Sequence, residues 1–283
     1  MKKALVTLAI GKKYESMFKK NCYATWKAYT EKHNHDLVVI SNVLDASLRA
    51  KNRSPAWQKC LILSQDTIKK YSQVAWVDAD IIINPRSPDI FDNTPLEMIG
   101  AVDECATPNC KDHKIALDRL HMLWSKERIK YIEDLSATQY HKNFGFKGEF
   151  HSVVQSGVLV LSPKYHNELL KDVYYNYEDK GDSYWHYEMR PLSYEIQKNK
   201  LFFGLDPKFN MIWSFIKQLH YPFLNERNSL FTKALNKVGF NTKASLIRKC
   251  VTTAFLNNYF LHFAGNAHDI VYLDEKINSI FNI

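Results

Sequence analysis

The spacing of apolar positions changes along the chain, and the changes predict strands that alternate with helices. Apolar runs predict strands over 3–10, 36–40, 74–83, 97–102, 153–161 and 201–205. Between the first two runs, apolar residues recur at every fourth position and predict one buried helical face: Tyr14, Phe18, Cys22 and Trp26. Strands that alternate with helices are expected to build a mostly parallel central sheet flanked by helices. The predicted fold class is therefore α/β and Rossmann-like.

Further helices are predicted after Ser54-Pro55, where proline takes the first helical position, and near 114–132 and 184–197. The helix near 114–132 belongs to a charged, histidine-rich segment, residues 103–152, that interrupts the sheet. No linker rich in proline, glycine or serine divides the chain, so we expect one domain over residues 1–283.

Two acidic residues, Asp78 and Asp80, interrupt the apolar run 74–83. An unpaired carboxylate among buried apolar neighbours is costly unless it binds a proton or a cation. Side chains alternate along an extended strand, so both acids are expected to face one side and to share a hard divalent cation. The alternative is a pair of acids that only caps the end of a strand. Asn84-Pro85 follows the run, and open sheets present ligand-binding groups where their strands end.

The composition indicates a globular chain with an excess of positive charge. Of the 283 residues, 46% are hydrophobic, and Lys plus Arg exceed Asp plus Glu by 38 to 30, which gives a net charge of +8. Positive charge favours anionic partners such as nucleotide phosphates, acidic glycans or a membrane surface. No zinc-finger spacing, basic-aromatic RNA motif or long Arg-rich run occurs, so nucleic acid is not an expected partner.

The cysteines and the first residues bear on the cellular compartment. Five scattered cysteines, an odd number, suit a reducing compartment. We interpret the apolar run after Met1 as the first strand rather than a signal peptide, because no small-residue cleavage site follows it. No stretch reaches the roughly 20 apolar residues that span a bilayer. These features predict a cytoplasmic protein.

Three later clusters place polar residues beside apolar runs. Residues 155–157, Gln-Ser-Gly, open the strand 153–161, where the glycine either lets a substrate approach the backbone or marks a β-bulge. Glu188, in the helical pattern 184–197, either faces a cleft or favours the helix dipole. His262 and His268 bracket a small-residue turn, and a lone histidine such as His262 is usually a core or turn residue.

Together these motifs resemble, over most of the chain, the nucleotide-sugar glycosyltransferases of GT-A fold, especially the retaining galactosyltransferase and glycogenin-like families. Those families have, in order, a nucleoside-binding loop, a Trp-x-Lys helix start, a D-x-D pair, a polar-Ser-Gly strand, an acid that opens a helix and a His-x-x-Gly turn. The same order occurs here at Ala9 to Gly11 with Tyr14, Trp57 with Lys59, Asp78 with Asp80, Ser156 to Leu159, Glu188, and His262 with Gly265. The chain departs from the pattern at Gln155, where Asn or Asp is usual, and at His268, where Lys is frequent.

The resemblance implies a metal-dependent transfer of a hexose from a nucleotide-diphosphate sugar, UDP-linked by family habit, to a glycan or glycoconjugate acceptor, with retention. Residues 1–103 would form the nucleotide-binding half, and residues 104–283 the acceptor-binding half. Asp78, Asp80 and His262 would hold Mn²⁺ or Mg²⁺, and Glu188, Asp80 and His268 would be catalytic. The resemblance implies donor contacts for nine residues: Ala9, Gly11, Tyr14, Lys59, Asp78, Gln155, Ser156, Gly157 and Gly265.

Two other functions stay open from the sequence. The first is an aspartate-nucleophile phosphatase, in which Asp78 attacks and Asp80 acts as the acid. That class is opposed by Ile82, which stands where those enzymes carry Thr or Val, and by the lack of a later Asp-Asp pair. The second is a glycan or nucleotide binder that has the same scaffold but no activity, because a fold alone does not establish catalysis.

Residues 221–258 combine a helical pattern with six basic residues: Arg227, Lys233, Lys237, Lys243, Arg248 and Lys249. We expect this segment to cover the acceptor side of a cleft or to dock peripherally on an anionic membrane. The alternative is a pair of helices that pack on the core with their basic face in solvent.

Overall fold

A computed structural model describes residues 2–126, 136–179, 187–225 and 242–274, together with Lys237, Ile277 and Phe281. The strands within these residues are β1 Lys3–Leu8, β2 Asp36–Ile40, β3 Gln73–Val77, β4 Ile81–Ile83, β5 Ile99–Asp103, β6 Val154–Leu161, β7 Phe202–Gly204, β8 Met211–Ile212 and β9 Phe260–His262. The α-helices are α1 Lys12–Asn21, α2 Tyr23–Lys32, α3 Leu48–Lys51, α4 Asp66–Lys69, α5 Cys110–Lys126, α6 Ala137–Lys142, α7 Pro163–Asn176, α8 Met189–Lys198, α9 Trp213–His220 and α10 Thr242–Asn257. Short 3-10 helices cover Pro55–Ser64, Glu104–Ala106, Pro207–Asn210, Pro222–Asn225 and Ala267–Tyr272.

Six strands form the central sheet in the order β2-β1-β3-β6-β5-β7. Every neighbouring pair is parallel except the two pairs that involve β6, which runs against both β3 and β5. The predicted α/β class and mostly parallel sheet are therefore confirmed. Because β6 is reversed, its first residues lie at the same edge of the sheet as the last residues of β1 and β3.

The predicted single strand over 74–83 is wrong, because the chain changes sheets within it. β3 ends at Val77, and β4 joins a second, three-stranded sheet of order β4-β9-β8. Between them the chain turns: the Asp78 N–H donates to the Gly157 carbonyl at 2.8 Å, and the Ile81 N–H donates to the Asp78 carbonyl at 3.2 Å. Asp78 and Asp80 therefore lie on a link between two sheets, and not at alternate positions of one strand.

The predicted helical face of Tyr14, Phe18, Cys22 and Trp26 is divided between two helices. α1 ends at Asn21 and α2 begins at Tyr23, and only the last three of the four side chains are buried. The Trp26 indole N–H donates to the Ile81 carbonyl at 2.8 Å, and the Cys22 thiol donates to the Ala79 carbonyl at 3.4 Å. This helix junction thus supports the link that holds the two acids.

The strands of the central sheet contribute alternate side chains to two cores, as the pleat of a strand requires. On one face, Ala75 and Val77 of β3 pack with α1, α2, α9, α10 and the second sheet. On the other face, Val74 and Trp76 pack with the 3-10 helix Pro55–Ser64, α7 and α8. Both cores contain residues from before and after position 103, and the functional division at that position stays a prediction.

Three predicted segments lie partly outside the described residues. The helix expected near 114–132 is α5, described to Lys126, and the helix expected near 184–197 is α8, described from Met189. Of the basic segment 221–258, α10 is described: Ile247, Val251 and Phe255 are buried in the core, and Arg248 and Lys249 are exposed. Among the described helices, none combines the length and apolarity that crossing a membrane requires.

Candidate active site

Three potential metal ligands converge where the link between the sheets meets the end of β9. His262, the last residue of β9, pairs with Ile81, and the Phe263 N–H donates to the Asp80 carbonyl at 3.1 Å. The His262 Nε2 atom lies 3.3 Å from Asp80 Oδ1 and 3.8 Å from Asp78 Oδ2. One ligand atom from each of these three residues falls within 4.8 Å of the others.

A buried lysine joins this group to a third carboxylate. Lys59 comes from the 3-10 helix Pro55–Ser64, which begins where the Ser54 hydroxyl accepts from the Ala56 N–H. Its Nζ atom lies 3.0 Å from Asp78 Oδ1 and 2.9 Å from Glu188 Oε1, and it donates to the Ser156 carbonyl at 3.2 Å. Lys59 is 5% exposed and Glu188 is 3% exposed, so this is an ion pair inside the protein.

The two oxygens of Asp78 have different partners. Oδ1 accepts from Lys59 Nζ and from the Trp76 indole N–H at 2.9 Å. Oδ2 faces His262. Glu188 is oriented in a similar way, because the Ser156 hydroxyl donates to its Oε1 at 3.0 Å.

The charges in this group shift one another's pKa values. Burial lowers the pKa of the Lys59 ammonium, but the Asp78 and Glu188 carboxylates outweigh burial and raise it. Burial likewise opposes the charged form of Asp80, yet His262 holds the pKa of the Asp80 carboxyl below its usual value. Burial lowers the pKa of His262, but the Asp80 and Asp78 carboxylates together outweigh burial and raise it.

The residues fit a divalent cation. Asp78, Asp80 and Glu188 carry three negative charges and Lys59 one positive charge, so the group keeps a formal charge of −2 when His262 is neutral. A divalent ion would neutralise that charge. Two carboxylates and one imidazole form a donor set that suits Mn²⁺ or Mg²⁺.

Gly157 makes room for the His262 ring. A Cβ at residue 157 would lie 2.5 Å from His262 Cε1 and 2.8 Å from His262 Nδ1. The ladder between β5 and β6 shifts register here, because Ala101 pairs with Leu159 and Val102 pairs with Gln155. This irregularity agrees with the bulge alternative, and the His262 ring occupies the position where a Cβ would stand. A donor contact at Gly157 stays a prediction.

Gln155 and Asn210 connect Gly157 to His262. The Gly157 N–H donates to Gln155 Oε1 at 2.5 Å, and Asn210 Nδ2 donates to the same oxygen at 3.0 Å. Asn210 Oδ1 lies 2.8 Å from His262 Nδ1. The sequence pattern gave no sign of Asn210, a fully buried residue that ends the 3-10 helix Pro207–Asn210.

The metal-ligand candidates and the Lys59–Glu188 ion pair line a cleft of about 660 Å³. Predicted site residues in its lining are Lys59, Asp78, Asp80, Gln155, Ser156, Gly157, Glu188, His262 and Gly265. Gly265 has φ of +66°, which favours glycine, and a Cβ there would meet open space. The lining also includes apolar residues that were not predicted: Leu117, Leu120, Trp124, Ile212 and Phe215.

Comparison with solved structures identifies the fold. Over 96% of this chain and 98% of that chain, the structure matches a glycosyltransferase involved in glycosylation of the major capsid of PBCV-1, with a TM-score of 0.50 and 13% identity. Over 99% of this chain and 51% of that chain, it matches the bifunctional glycosyltransferase WbbM, with a TM-score of 0.55 and 11% identity. This chain has the GT-A glycosyltransferase fold. A galactosyltransferase, LgtC, also matches over 99% of this chain and 95% of that chain, with a TM-score of 0.42 and 14% identity. No protein-family model and no curated protein sequence matches the chain.

Within the GT-A fold, the predicted nucleoside loop follows β1, beside the edge where β3 ends at the acids. Ala9 is buried, and its N–H donates to the Ile40 carbonyl at 2.9 Å. Gly11 has φ of +88° with open space where a Cβ would stand, and Tyr14 is 54% exposed. None of these three residues lines the cleft, so their nucleoside contacts stay a prediction.

His268 is the predicted catalytic residue that does not line the cleft with Asp80 and Glu188. It is in the 3-10 helix Ala267–Tyr272, its side chain is 72% exposed, and its Nε2 atom lies 3.5 Å from Asp269 Oδ1. It is not part of the cleft lining. A role for His268 on the leaving diphosphate stays a prediction.

Proposed function

We propose that this GT-A protein is a metal-dependent hexosyltransferase that moves a sugar from a UDP-linked donor to a hydroxyl of a glycan or glycoconjugate, with retention. One observation supports this most strongly: the metal-ligand group Asp78, Asp80 and His262 shares a cleft with the buried ion pair of Lys59 and Glu188. The glycosyltransferase fold of the structural neighbours supports the reaction class. That fold gives no support to the phosphatase alternative.

The reaction needs charges of both signs in one place. Breaking the bond between sugar C1 and phosphate leaves positive charge on the sugar and negative charge on the diphosphate. When bound by Asp78, Asp80 and His262, Mn²⁺ or Mg²⁺ supplies a Lewis acid for the diphosphate oxygens. Glu188 supplies a carboxylate for the positive charge of the sugar or for orientation of the acceptor hydroxyl. Lys59 holds Asp78 and Glu188 in fixed orientations.

The apolar residues of the cleft support an acceptor with an apolar face. Leu117, Leu120 and Phe215 line the same cleft as the acids. A sugar ring presents a face of C–H groups, and a lipid or aromatic aglycone presents still more apolar surface. We propose that these apolar residues bind a glycoconjugate acceptor, beside the donor sugar near Glu188.

A peripheral membrane contact is a further part of the proposal. α10 exposes Arg248 and Lys249 together with Leu246 and Leu256, and basic residues beside apolar ones favour an anionic membrane surface. No residue of α10 lines the cleft. We also propose a cytoplasmic location, which the five free cysteines support.

The decisive experiment is incubation with Mn²⁺ and a panel of nucleotide sugars, with and without acceptor glycans. We expect release of the nucleoside diphosphate that a chelator stops and that Asp80→Asn and Glu188→Gln abolish or reduce strongly. Asp66→Asn, at an exposed acid on α4, is the matched control and should keep full activity. NMR of the new glycosidic bond then tests retention.

Two results would contradict the proposal. Donor binding without turnover for any sugar would favour a non-catalytic binder. Hydrolysis of a phosphate monoester that depends on Asp78, without sugar transfer, would favour the phosphatase.

A further inference from the structure

The hydrogen bonds behind His262 have a direction that the backbone fixes. A backbone N–H can only donate, so the Gln155 atom 2.5 Å from the Gly157 N–H is the amide oxygen. The Asn210 atom that lies 3.0 Å from that oxygen must then be the NH₂ group. The network itself therefore fixes the orientation of both side-chain amides.

The orientation of Asn210 determines which nitrogen of the His262 ring carries the hydrogen. With its NH₂ turned to Gln155, Asn210 presents Oδ1 to His262 Nδ1 at 2.8 Å. An amide oxygen can only accept, so the ring nitrogen facing it carries the hydrogen. In the neutral ring, Nε2 then keeps its lone pair, and Nε2 is the atom that faces Asp78 and Asp80.

We propose that Gln155 and Asn210 are positioning residues that hold His262 in the tautomer with hydrogen on Nδ1, so that Nε2 is ready to bind the divalent ion. This inference rests on the proposed metal site and adds the residues that prepare it. It also gives Gln155 a role apart from contact with the donor, because its oxygen is turned into the protein and is shared between two N–H groups.

The hydrogen bonds from Gln155 through Asn210 to His262, called the relay below, are effective because the residues are buried. Asn210 is fully buried and Gln155 is nearly so, so water does not compete for either amide. A flipped Asn210 would turn its oxygen toward Gln155 Oε1 and lose that bond, and its NH₂ could bond Nδ1 only in the tautomer with hydrogen on Nε2. Partners that hold a ligating histidine in this way typically change metal affinity by about 10- to 100-fold when they are removed.

The test measures Mn²⁺ affinity by calorimetry without any donor, and the ring proton by ¹⁵N NMR. Asn210→Leu should weaken Mn²⁺ binding by about 10- to 100-fold and should give His262 a mixture of tautomers. Asn258→Leu is the matched control: this buried asparagine bonds the Ala254 carbonyl and contacts no metal ligand. It should leave both the affinity and the tautomer unchanged.

A second pair of variants keeps the test valid if Asn210→Leu does not fold. Gln155→Glu retains the acceptor oxygen and should bind Mn²⁺ at least as well as the wild type. Gln155→Met removes that oxygen, frees Asn210 to flip and should bind more weakly. Equal affinities of these two variants, or an equal loss in Asn258→Leu and Asn210→Leu, would overturn the inference.

The NMR measurement separates this inference from the proposed function. It is made first on the ion-free protein at a pH where the ring is neutral, with the His262 signal among those of the 11 histidines assigned by a His262→Gln variant. Hydrogen on Nε2 in the wild type would overturn the relay even if the protein transfers sugar. A wild type that binds no Mn²⁺ but carries hydrogen on Nδ1 would contradict the metal site alone.

Discussion

The ring of His262 lies where a side chain at residue 157 would otherwise begin, with Cε1 only 2.5 Å from the position of a Cβ on Gly157. Gly157 belongs to the central sheet and His262 to the second sheet. Their contact therefore brings the two sheets together at the metal-ligand group. Two backbone hydrogen bonds join the link 78–80 to both sheets at this point. The Asp78 N–H donates to the Gly157 carbonyl, and the Phe263 N–H donates to the Asp80 carbonyl.

Gly157→Ala should displace His262. The added methyl group overlaps a buried ring, and overpacking of this kind costs about 1–3 kcal/mol. We expect a lower free energy of unfolding in urea together with weaker Mn²⁺ binding. Gly204→Ala is the control, since the nearest atom to a Cβ there is 4.0 Å away. A Gly157→Ala protein that binds Mn²⁺ like the wild type would show that His262 can move without loss of metal affinity.

Lys59→Met should destabilise the protein strongly. The change leaves Asp78 and Glu188 without their shared cation, and breaking a buried ion pair on one side costs about 3–5 kcal/mol. The free energy of unfolding in urea, measured without metal, should fall by that amount. Lys69→Met removes an exposed pair with Asp66 and should cost less than about 1 kcal/mol. Similar losses in the two variants would mean that the Lys59 pair adds little.

Mn²⁺ should raise the melting temperature. The ligands join the link between the sheets to the end of β9, so an ion that binds only the folded state stabilises it by mass action, by about 2.7 kcal/mol at roughly 100 times its Kd. A chelator should reverse the shift. Asp80→Asn and His262→Gln should show little shift, and Asp66→Asn should respond like the wild type. A rise of equal size in Asp80→Asn would place the ion elsewhere.

The stability should fall as the pH decreases from about 6.5 to about 4, in part because of His141. Burial lowers the pKa of His141 from 6.5 to about 4, so in that range the unfolded chain binds a proton that the folded chain does not. Stability therefore rises with pH across this window and is lost toward its lower end. His141→Phe keeps a ring against Phe150, 4.2 Å away between centroids, and should flatten the dependence. If the free energy of unfolding varies with pH in the same way in the wild type and in His141→Phe, this explanation is contradicted.

Anionic vesicles should bind the protein at low ionic strength if α10 forms a membrane contact. The double change Arg248→Glu and Lys249→Glu should abolish sedimentation with the vesicles. Lys69→Glu with Lys70→Glu changes two adjacent exposed lysines on another surface and should not. No sedimentation of the wild type, or equal loss in both double variants, would remove membrane contact from the proposed function.

Strong local patterns predicted much of the central sheet. The strand over 36–40 is confirmed to the residue, and the strand over 153–161 differs from β6 by one residue. The reversed direction of β6 and the second sheet were not predicted. A strand's direction depends on the route of the chain between strands, and β4, β8 and β9 have only two or three residues each, which is too short for a periodic pattern.

The candidate site shows the same limit. Asp78, Asp80 and His262 were predicted as one group from an acid pair and from a resemblance, and the structure brings them together. The reason given for the acids was wrong, because a turn rather than strand alternation directs them. Asn210 could not be found in advance, since its partners Gln155 and His262 lie more than fifty positions away in the chain.

The reversal of β6 also determines where the molecule can diverge. Asp103 at the end of β5 pairs with Val154 at the start of β6. The residues between them therefore leave and re-enter the central sheet at adjacent positions beside the cleft. Insertions or exchanges between those two residues can leave the paired strands in register, while Leu117 and Leu120 of this stretch contribute to the cleft lining. Variation confined to this stretch can therefore reshape the cleft without moving the strands that carry the acids.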